Sequence, residues 1–383
     1  MLPQGPTMSA ARQTLRWHLR PTDVLSEAAA TYGTPFTLRI LGRPPAVVLS
    51  DPEHVKAVFK GSPDLFVTGA ANEGFRTHIG PDSLLTLDGP DHHRHRRLLN
   101  PPFHHSRMGA YAHGTWAGTV ARIAEWSAGD EVRILPAMYE LAFDLILESV
   151  FGVSNPEVLR EFRRLSTILS KESSSIDMFL PFLRKDLGRF SAWGRFLRAR
   201  REWDRMLYAE IDRALEEGSE SRTDVLGLLA RAGARADNPL SKGEIRDELM
   251  ALLAAGHATT AVALTWMTQL TLSSPDVARR VREDVRGHFE GGGGPEDLDR
   301  LTFIDAVIYE ALRLHPPIVL VVRQLVRDAS IAGFDLPAGT LVRPCPYLTH
   351  RDPRIFPDPE DFKPERFMNG RPSNYEYYPF GGG

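Results

Sequence analysis

Between Ser241 and Leu272 the chain carries an apolar helical pattern of about thirty residues, with one irregularity at its centre. At 1.5 Å per residue it would span roughly 45 Å, enough to cross a whole domain. The rest of the fold must be arranged around it. Ser241-Lys-Gly-Glu244 reads as a capping box that opens this helix, and Ser274-Pro275 starts the next one. The centre is Ala255-Gly256-His257-Ala258-Thr259-Thr260. A mid-helix glycine is unfavourable by about 1 kcal/mol against alanine. A threonine there can bond back to a carbonyl one turn earlier and bend the helix. Two readings follow: a local opening with a hydroxyl facing a cavity, or a crossing point of small residues in a helical core.

The same run, Leu249 to Met267, comes nearest to a membrane span. The polar and small residues in its middle favour a core helix instead. Met1 to Leu19 has no long apolar stretch, and reads as neither signal peptide nor anchor. The expectation is a soluble, cytoplasmic protein without a membrane association.

A second segment is as demanding. From Thr302 to Leu314 apolar residues cover almost every face of a helix, which Pro316-Pro317 ends. Thr302-Phe-Ile-Asp305 reads as its start. Glu310 and Arg313 lie inside it, three apart and on one face. Buried charges there must be paired and hydrogen-bonded. The alternative is an ordinary ion pair on a partly wet surface.

The remaining pattern is mixed. Thr37–Gly42 with Pro45–Ser50 reads as a hairpin, and Asp51-Pro52 opens a helix. Met138–Val150, Trp193–Leu215 and Thr223–Ala230 read as helices, Leu320–Val326 and Ile331–Pro337 as short strands, and Gly291–Gly294 as a loop. No linker or repeat divides the chain, so residues 1–383 are expected to form one mainly α (α+β) domain. The net charge of -3 does not suggest nucleic acid as a partner. With Cys345 as its one cysteine, the chain can form no internal disulfide.

These pieces, in this order, resemble the cytochrome P450 family. The central Ala255–Thr260 segment resembles its oxygen-binding helix. Glu310-Ala-Leu-Arg313 and Phe362-Lys-Pro-Glu-Arg366-Phe367 match a Glu-Arg-Arg triad. His350-Arg-Asp-Pro353 and Asp358-Pro359 match the stretch before that third member. Asp91-His92-His93-Arg94-His95-Arg96-Arg97 is similar to the helix that holds haem propionates, and Tyr378-Pro379-Phe380-Gly381-Gly382-Gly383 to the opening of the haem-binding loop. The likeness covers essentially the whole chain. It implies a P450 fold with a long central helix and small sheets. It implies haem b as cofactor, held by His92, Arg96, Arg323, Ala255 and Phe380. Thr259, with Ala258, Gly256 and Thr260, would form the oxygen-handling segment, and Glu310, Arg313 and Arg366 a structural triad. Anionic propionates suit arginine forks and histidine donors. For the same His/Arg run a solvated basic face, or a metal-binding tract at His92, His93 and His95, stays open.

The chain departs from that pattern twice. The family's haem-ligating cysteine would fall about four positions beyond Gly383, so no metal ligand is expected within these residues and the sequence reads as incomplete. Cys345, in Arg343-Pro-Cys-Pro346, is expected to be a packed thiol. The position before Thr259, usually acidic in the family, is Ala258, which can neither donate nor accept a proton. His257 lies about 100° around the helix and is no obvious replacement.

The implied reaction is monooxygenation of an apolar molecule such as a fatty acid, terpene or steroid. It would use O2 and electrons from NAD(P)H, delivered by a ferredoxin and its reductase to a monomer. Ile318, Val319, Leu320, Val321 and Phe179 would line the pocket, and Phe66, Phe75 and Leu84–Leu87 its entrance. An aliphatic run such as 318–322 is equally plain core. Two alternatives remain: a haem-free scaffold that binds small molecules, and haem-thiolate chemistry other than monooxygenation.

Overall fold

The computed structural model describes every residue except 104, 154, 173–184, 217–221, 223, 236–238 and 383. In chain order the elements begin with α1 (Ala10–Leu19), α2 (Pro21–Tyr32), β1 (Phe36–Leu38), β2 (Ala46–Leu49), α3 (Pro52–Phe59) and β3 (Phe66–Val67). A helical stretch follows: α4 (Gly89–Leu99), α5 (His105–Ile123), α6 (Ile134–Phe151), α7 (Pro156–Glu172), α8 (Ala192–Glu216) and α9 (Val225–Arg235). Then come α10 (Lys242–Leu272), α11 (Pro275–Glu290), α12 (Thr302–Leu314), β4 (Arg323–Leu325), β5 (Ala329–Ile331), β6 (Phe334–Leu336) and β7 (Leu341–Pro344). Two compact units emerge, Met1–Ala71 with Val262–Gly383, and Asn72–Ala261.

The first unit is built on a five-stranded sheet of order β1-β2-β7-β4-β3. β2 and β7 run parallel, and the other pairs are antiparallel. Alternation along the strands divides the apolar residues between the two faces. Ala46, Val48 and Leu341 join Leu25, Ala28 and Phe36 in one cluster, while Val47, Leu49 and Val342 join Val58, Phe66 and Leu325 in another. Phe66 is thus a core residue of this unit, not part of an entrance.

The second unit is helical, with Trp203 at the middle of its core. The indole is fully buried, edge-on to Phe162 at 4.8 Å and to Phe143 at 6.3 Å. Burying a side chain of about 200 Å² contributes about 5 kcal/mol.

The expected hairpin and helices form at or near their expected bounds, and the Ser241 box closes in both directions. Ser241 N donates to Glu244 Oε2 at 2.7 Å, and Glu244 N to Ser241 Oγ at 3.2 Å. Two expectations are corrected. The segment 331–337 is not one strand: Ala332 and Gly333, both at positive φ, turn β5 back as β6 in a two-residue hairpin. Of Leu320–Val326 only Arg323–Leu325 pairs as a strand. The helix expected to start at Thr302 does so, with Thr302 its first residue. Leu301 precedes it, and no side chain caps this end.

Among the described residues α10 is the one helix long and apolar enough to cross a membrane. Its first half, from Ile245 to Leu253, is largely buried, as a core helix requires, whereas Ala254, Ala255 and Thr260 are exposed.

Candidate active site

In the Asn72–Ala261 unit, α10 carries the expected defect. Thr259 donates its hydroxyl to the carbonyl of Ala255, one turn back. This satisfies the hydroxyl locally. Gly256 sits at a close approach, since a Cβ there would lie 2.6 Å from Ile146 Cδ1 on α6 and the end of that side chain would have to shift. The crossing-point reading thus describes Gly256, while Thr259 and Ala258 are half-buried. His257 faces α6. Its Nε2–H donates to the Tyr139 carbonyl at 3.0 Å, and its ring packs edge-on against Tyr139 and Phe143. Burial lowers its pKa, so it is neutral and held away from the threonine's role.

On α4, His92 and Arg96 lie one turn apart and therefore on one face. Arg96 is exposed, with no carboxylate partner among the described residues, and His92 is half-buried with its ring against His93. His95 belongs to neither a solvated face nor a metal tract. It is fully buried, with Nδ1 2.6 Å from Glu248 Oε1 and Nε2 3.2 Å from Glu244 Oε1. Glu248 also accepts from Leu84 N at 2.8 Å, and Arg94 bonds Glu244. Burial opposes the imidazolium, but Glu248 and Glu244 outweigh it and raise the pKa of His95. Burial raises Glu248 as well, against the bonds it accepts from His95 and Leu84 N. Among the described residues no group of His, Cys, Asp or Glu could hold a metal ion.

In the other unit the triad is assembled. Arg313 donates to Glu310 through Nε at 2.7 Å and Nη2 at 2.9 Å, with both side chains fully buried. Arg366 Nε reaches Glu310 Oε1 at 3.2 Å, and Lys363 N the same oxygen at 2.9 Å. The remaining protons of Arg313 go to the carbonyls of His350, Pro359 and Asp361 at 2.8, 2.7 and 3.1 Å. This fulfils the demand that such a pair be hydrogen-bonded throughout.

Arg323 donates to the Gly382 carbonyl at 2.9 Å and fixes the end of the segment Tyr378–Gly382. Within it Gly381 has φ +89°, and a Cβ there would come 3.2 Å from Val321. Phe380 is exposed. Tyr378 anchors the start: its hydroxyl meets Thr349 Oγ1 at 2.6 Å, and its N–H donates to His350 Nε2 at 3.0 Å. Burial lowers His350 to about 3, which keeps that nitrogen an acceptor.

The aliphatic run is distributed through the core of this unit. Val321 packs with Val55 and Tyr378, and Ile318 leans on them. Leu320 and Val322 cover the sheet cluster around Leu341, and the Val319 carbonyl accepts from the Cys345 thiol at 3.3 Å. The plain-core alternative thus describes Val321, whereas Ile318, Val319, Leu320 and Val322 are half-buried. Phe179 lies outside the described residues. Cys345 is fully buried, and burial raises it to about 12. It is a neutral packed thiol, not a thiolate.

The chain matches the sequence model of the family Cytochrome P450 over residues 3–383. It is 34% identical over 384 residues to the protein named cytochrome P450 135B1 of Mycobacterium bovis, covering 100% of this chain and 80% of the relative. To the protein named cytochrome P450 138 of Mycobacterium tuberculosis it is 34% identical over 365 residues, 94% of this chain and 79% of that one. A solved structure, retinoic acid bound cyanobacterial CYP120A1, superposes with a TM-score of 0.84 at 27% identity, covering 100% of this chain and 87% of that one. The fold and these matches define a haem monooxygenase, and the chain belongs to the cytochrome P450 family.

Proposed function

We propose that this protein is a cytoplasmic, monomeric haem monooxygenase that inserts one oxygen atom of O2 into an apolar organic substrate. Electrons come from NAD(P)H through a ferredoxin and its reductase, and both units act as parts of one P450 domain. The donor set on α4 carries this reading. His92 and Arg96 present an imidazole and a guanidinium on one helical face, and Arg96 has no carboxylate of its own among the described residues. That chemistry fits the carboxylates of haem b. Arg323, Ala255 and Phe380 complete the proposed haem contacts. Arg323 also fixes the Gly381-Gly382 turn through its bond to Gly382. Cys345, neutral and enclosed, does not fit as a thiolate ligand.

A bound haem supplies dioxygen activation and oxygen transfer. The chain's own residues then orient and protonate. The Thr259 hydroxyl can leave the Ala255 carbonyl for a polar partner beside the helix, with Gly256 and Thr260 shaping the same segment. Ala258 provides no proton, so delivery falls to Thr259 and ordered water. The solved relative CYP120A1 is bound to retinoic acid, which supports a largely apolar ligand. Ile318 and Leu320 are proposed to border it.

Haem titration tests the reading. The protein is expected to take up haem, and Arg96→Ala to weaken that uptake about tenfold or more, as loss of a charged hydrogen bond does. Absence of uptake overturns it. In turnover, Ala258→Glu is expected to raise the share of NADPH that ends in product. Equal coupling in both proteins would show that an acid at this position is not needed.

A further inference from the structure

α4 and the first half of α10 meet at a set of four charged side chains. Arg94 and His95 come from α4, Glu244 and Glu248 from α10. His95 and Glu248 are enclosed, and Arg94 and Glu244 are 22% and 18% exposed. Two cations balance two carboxylates here only while the imidazole carries both of its ring protons.

Two bonding arrangements fit this geometry. As an imidazolium, His95 donates from Nδ1 to Glu248 Oε1 at 2.6 Å and from Nε2 to Glu244 Oε1 at 3.2 Å. As a neutral ring it keeps the Nδ1 bond, while Nε2 can only accept, which the Arg94 Nη2 donor at 3.1 Å allows. The bond to Glu244 is then lost, and one carboxylate of the set has no counter-charge. The charges around the set are committed elsewhere or exposed. Asp247, beside Glu248, accepts from Asp82 N and from Arg246, and adds to the negative field. Arg246 also bonds Asp204, and Arg231 on α9 donates to the Arg222 carbonyl. Asp82 on the preceding loop and Asp91, His93, Arg96 and Arg97 on α4 itself are exposed. His95 lies one turn from His92 and next to Arg96, so the charge set fixes the helix that carries both. The same Glu248 oxygen holds Leu84 N, on the loop leading into α4.

We propose that His95 is a proton-controlled positioning residue: its imidazolium clamps α4 on α10 with His92 and Arg96 placed for the haem carboxylates, and loss of the proton loosens that clamp. The inference rests on the haem oxygenase reading and adds to that site a regulation of haem retention by pH. His95, turned into α10, acts through the placement of its helix. The direction follows from the charge count. Although burial opposes the imidazolium, Glu248 and Glu244 raise its folded pKa above 6.5. The clamp is therefore closed below pH 6.5 and opens as pH rises through the folded value.

The test loads the full protein with haem and follows haem transfer to excess apomyoglobin by Soret absorption. Transfer is measured in steps from pH 6.5 upward, with circular dichroism reporting the fold. Wild type is expected to lose haem about tenfold faster above the folded pKa of His95 than below it, the scale of one charged hydrogen bond. Glu244→Gln should move the midpoint of this step to lower pH, since one of the two carboxylates that hold the proton is gone. His95→Leu should abolish the step while haem is still taken up. His92→Phe should speed loss at every pH and keep the step, which separates the two histidines. Where His95→Leu does not fold, the Glu244→Gln midpoint decides. A step that survives His95→Leu, or a midpoint that Glu244→Gln leaves in place, overturns the clamp. Haem held equally at every pH overturns the clamp alone and leaves the oxygenase reading standing. Absence of haem uptake at any pH overturns both.

Discussion

Two buried charge clusters, one in each unit, solve the same problem with different chemistry. Around Glu310 the cations are guanidiniums, and every remaining donor of Arg313 meets a backbone carbonyl. Around Glu248 the cation is an imidazole, with carboxylates at both ring nitrogens. A guanidinium stays charged at any pH the fold survives, so the first cluster is a fixed joint. An imidazole titrates near neutrality, so the second holds only while it keeps its proton.

The largest expected effect would break the fixed joint. Glu310→Ala leaves Arg313 buried without its counter-charge and should destabilise the protein by about 3–5 kcal/mol. Denaturant unfolding checks this, and insoluble protein would be the extreme form of the same outcome. His95→Leu should cost less, about 1–3 kcal/mol, because Glu248 keeps its bond from Leu84 N and can take up a proton.

The pH dependence sharpens the contrast. The folded pKa of His95 is raised above 6.5, so its stabilisation is fully present below pH 6.5 and is lost as pH rises through the folded value. Wild-type unfolding free energy should therefore fall on the alkaline side of pH 6.5, and His95→Leu should flatten that slope. An unchanged slope in the variant would assign it to other groups. Glu244 works in the opposite direction. Although burial raises it, its bonds from Ser241, Arg94 and His95 lower it to about 2, so its contribution is present above pH 4.5 and lost as pH falls toward 2. Glu244→Gln should remove about 1 kcal/mol at neutral pH, the scale of a helix cap.

The smallest expected effect has the opposite sign. On β7 the Nε of Arg343 is buried without a hydrogen-bond partner, so Arg343→Met should raise stability by about 1 kcal/mol, seen as a higher Tm. A drop of that size would mean that the arginine is structural after all.

The two clusters also differ in how readable they were. Glu310 and Arg313 are three apart on an apolar helix, so burial and pairing both follow from local spacing. The Ser241 box is equally local. His95 sits in a run of His and Arg, which looks solvated when its partners, 149 and 153 residues away, are unknown. Periodicity reports which face of an element is covered, not what covers it. The same gap explains Arg343, visible in the sequence only as a flank of Cys345, and Val321, assigned to a pocket wall but enclosed by Val55 and Tyr378.

The hub at Arg313 also bears on the order in which the molecule is made. Its carbonyl acceptors belong to residues 350, 359 and 361, and the second cation on its partner Glu310 is Arg366. On the ribosome, helix α12 emerges some fifty residues before the last of them. Through that interval it exposes an apolar surface whose two charges cannot yet be enclosed. Docking of this helix therefore waits on translation through Arg366, and a holdase chaperone would have most to bind in that window.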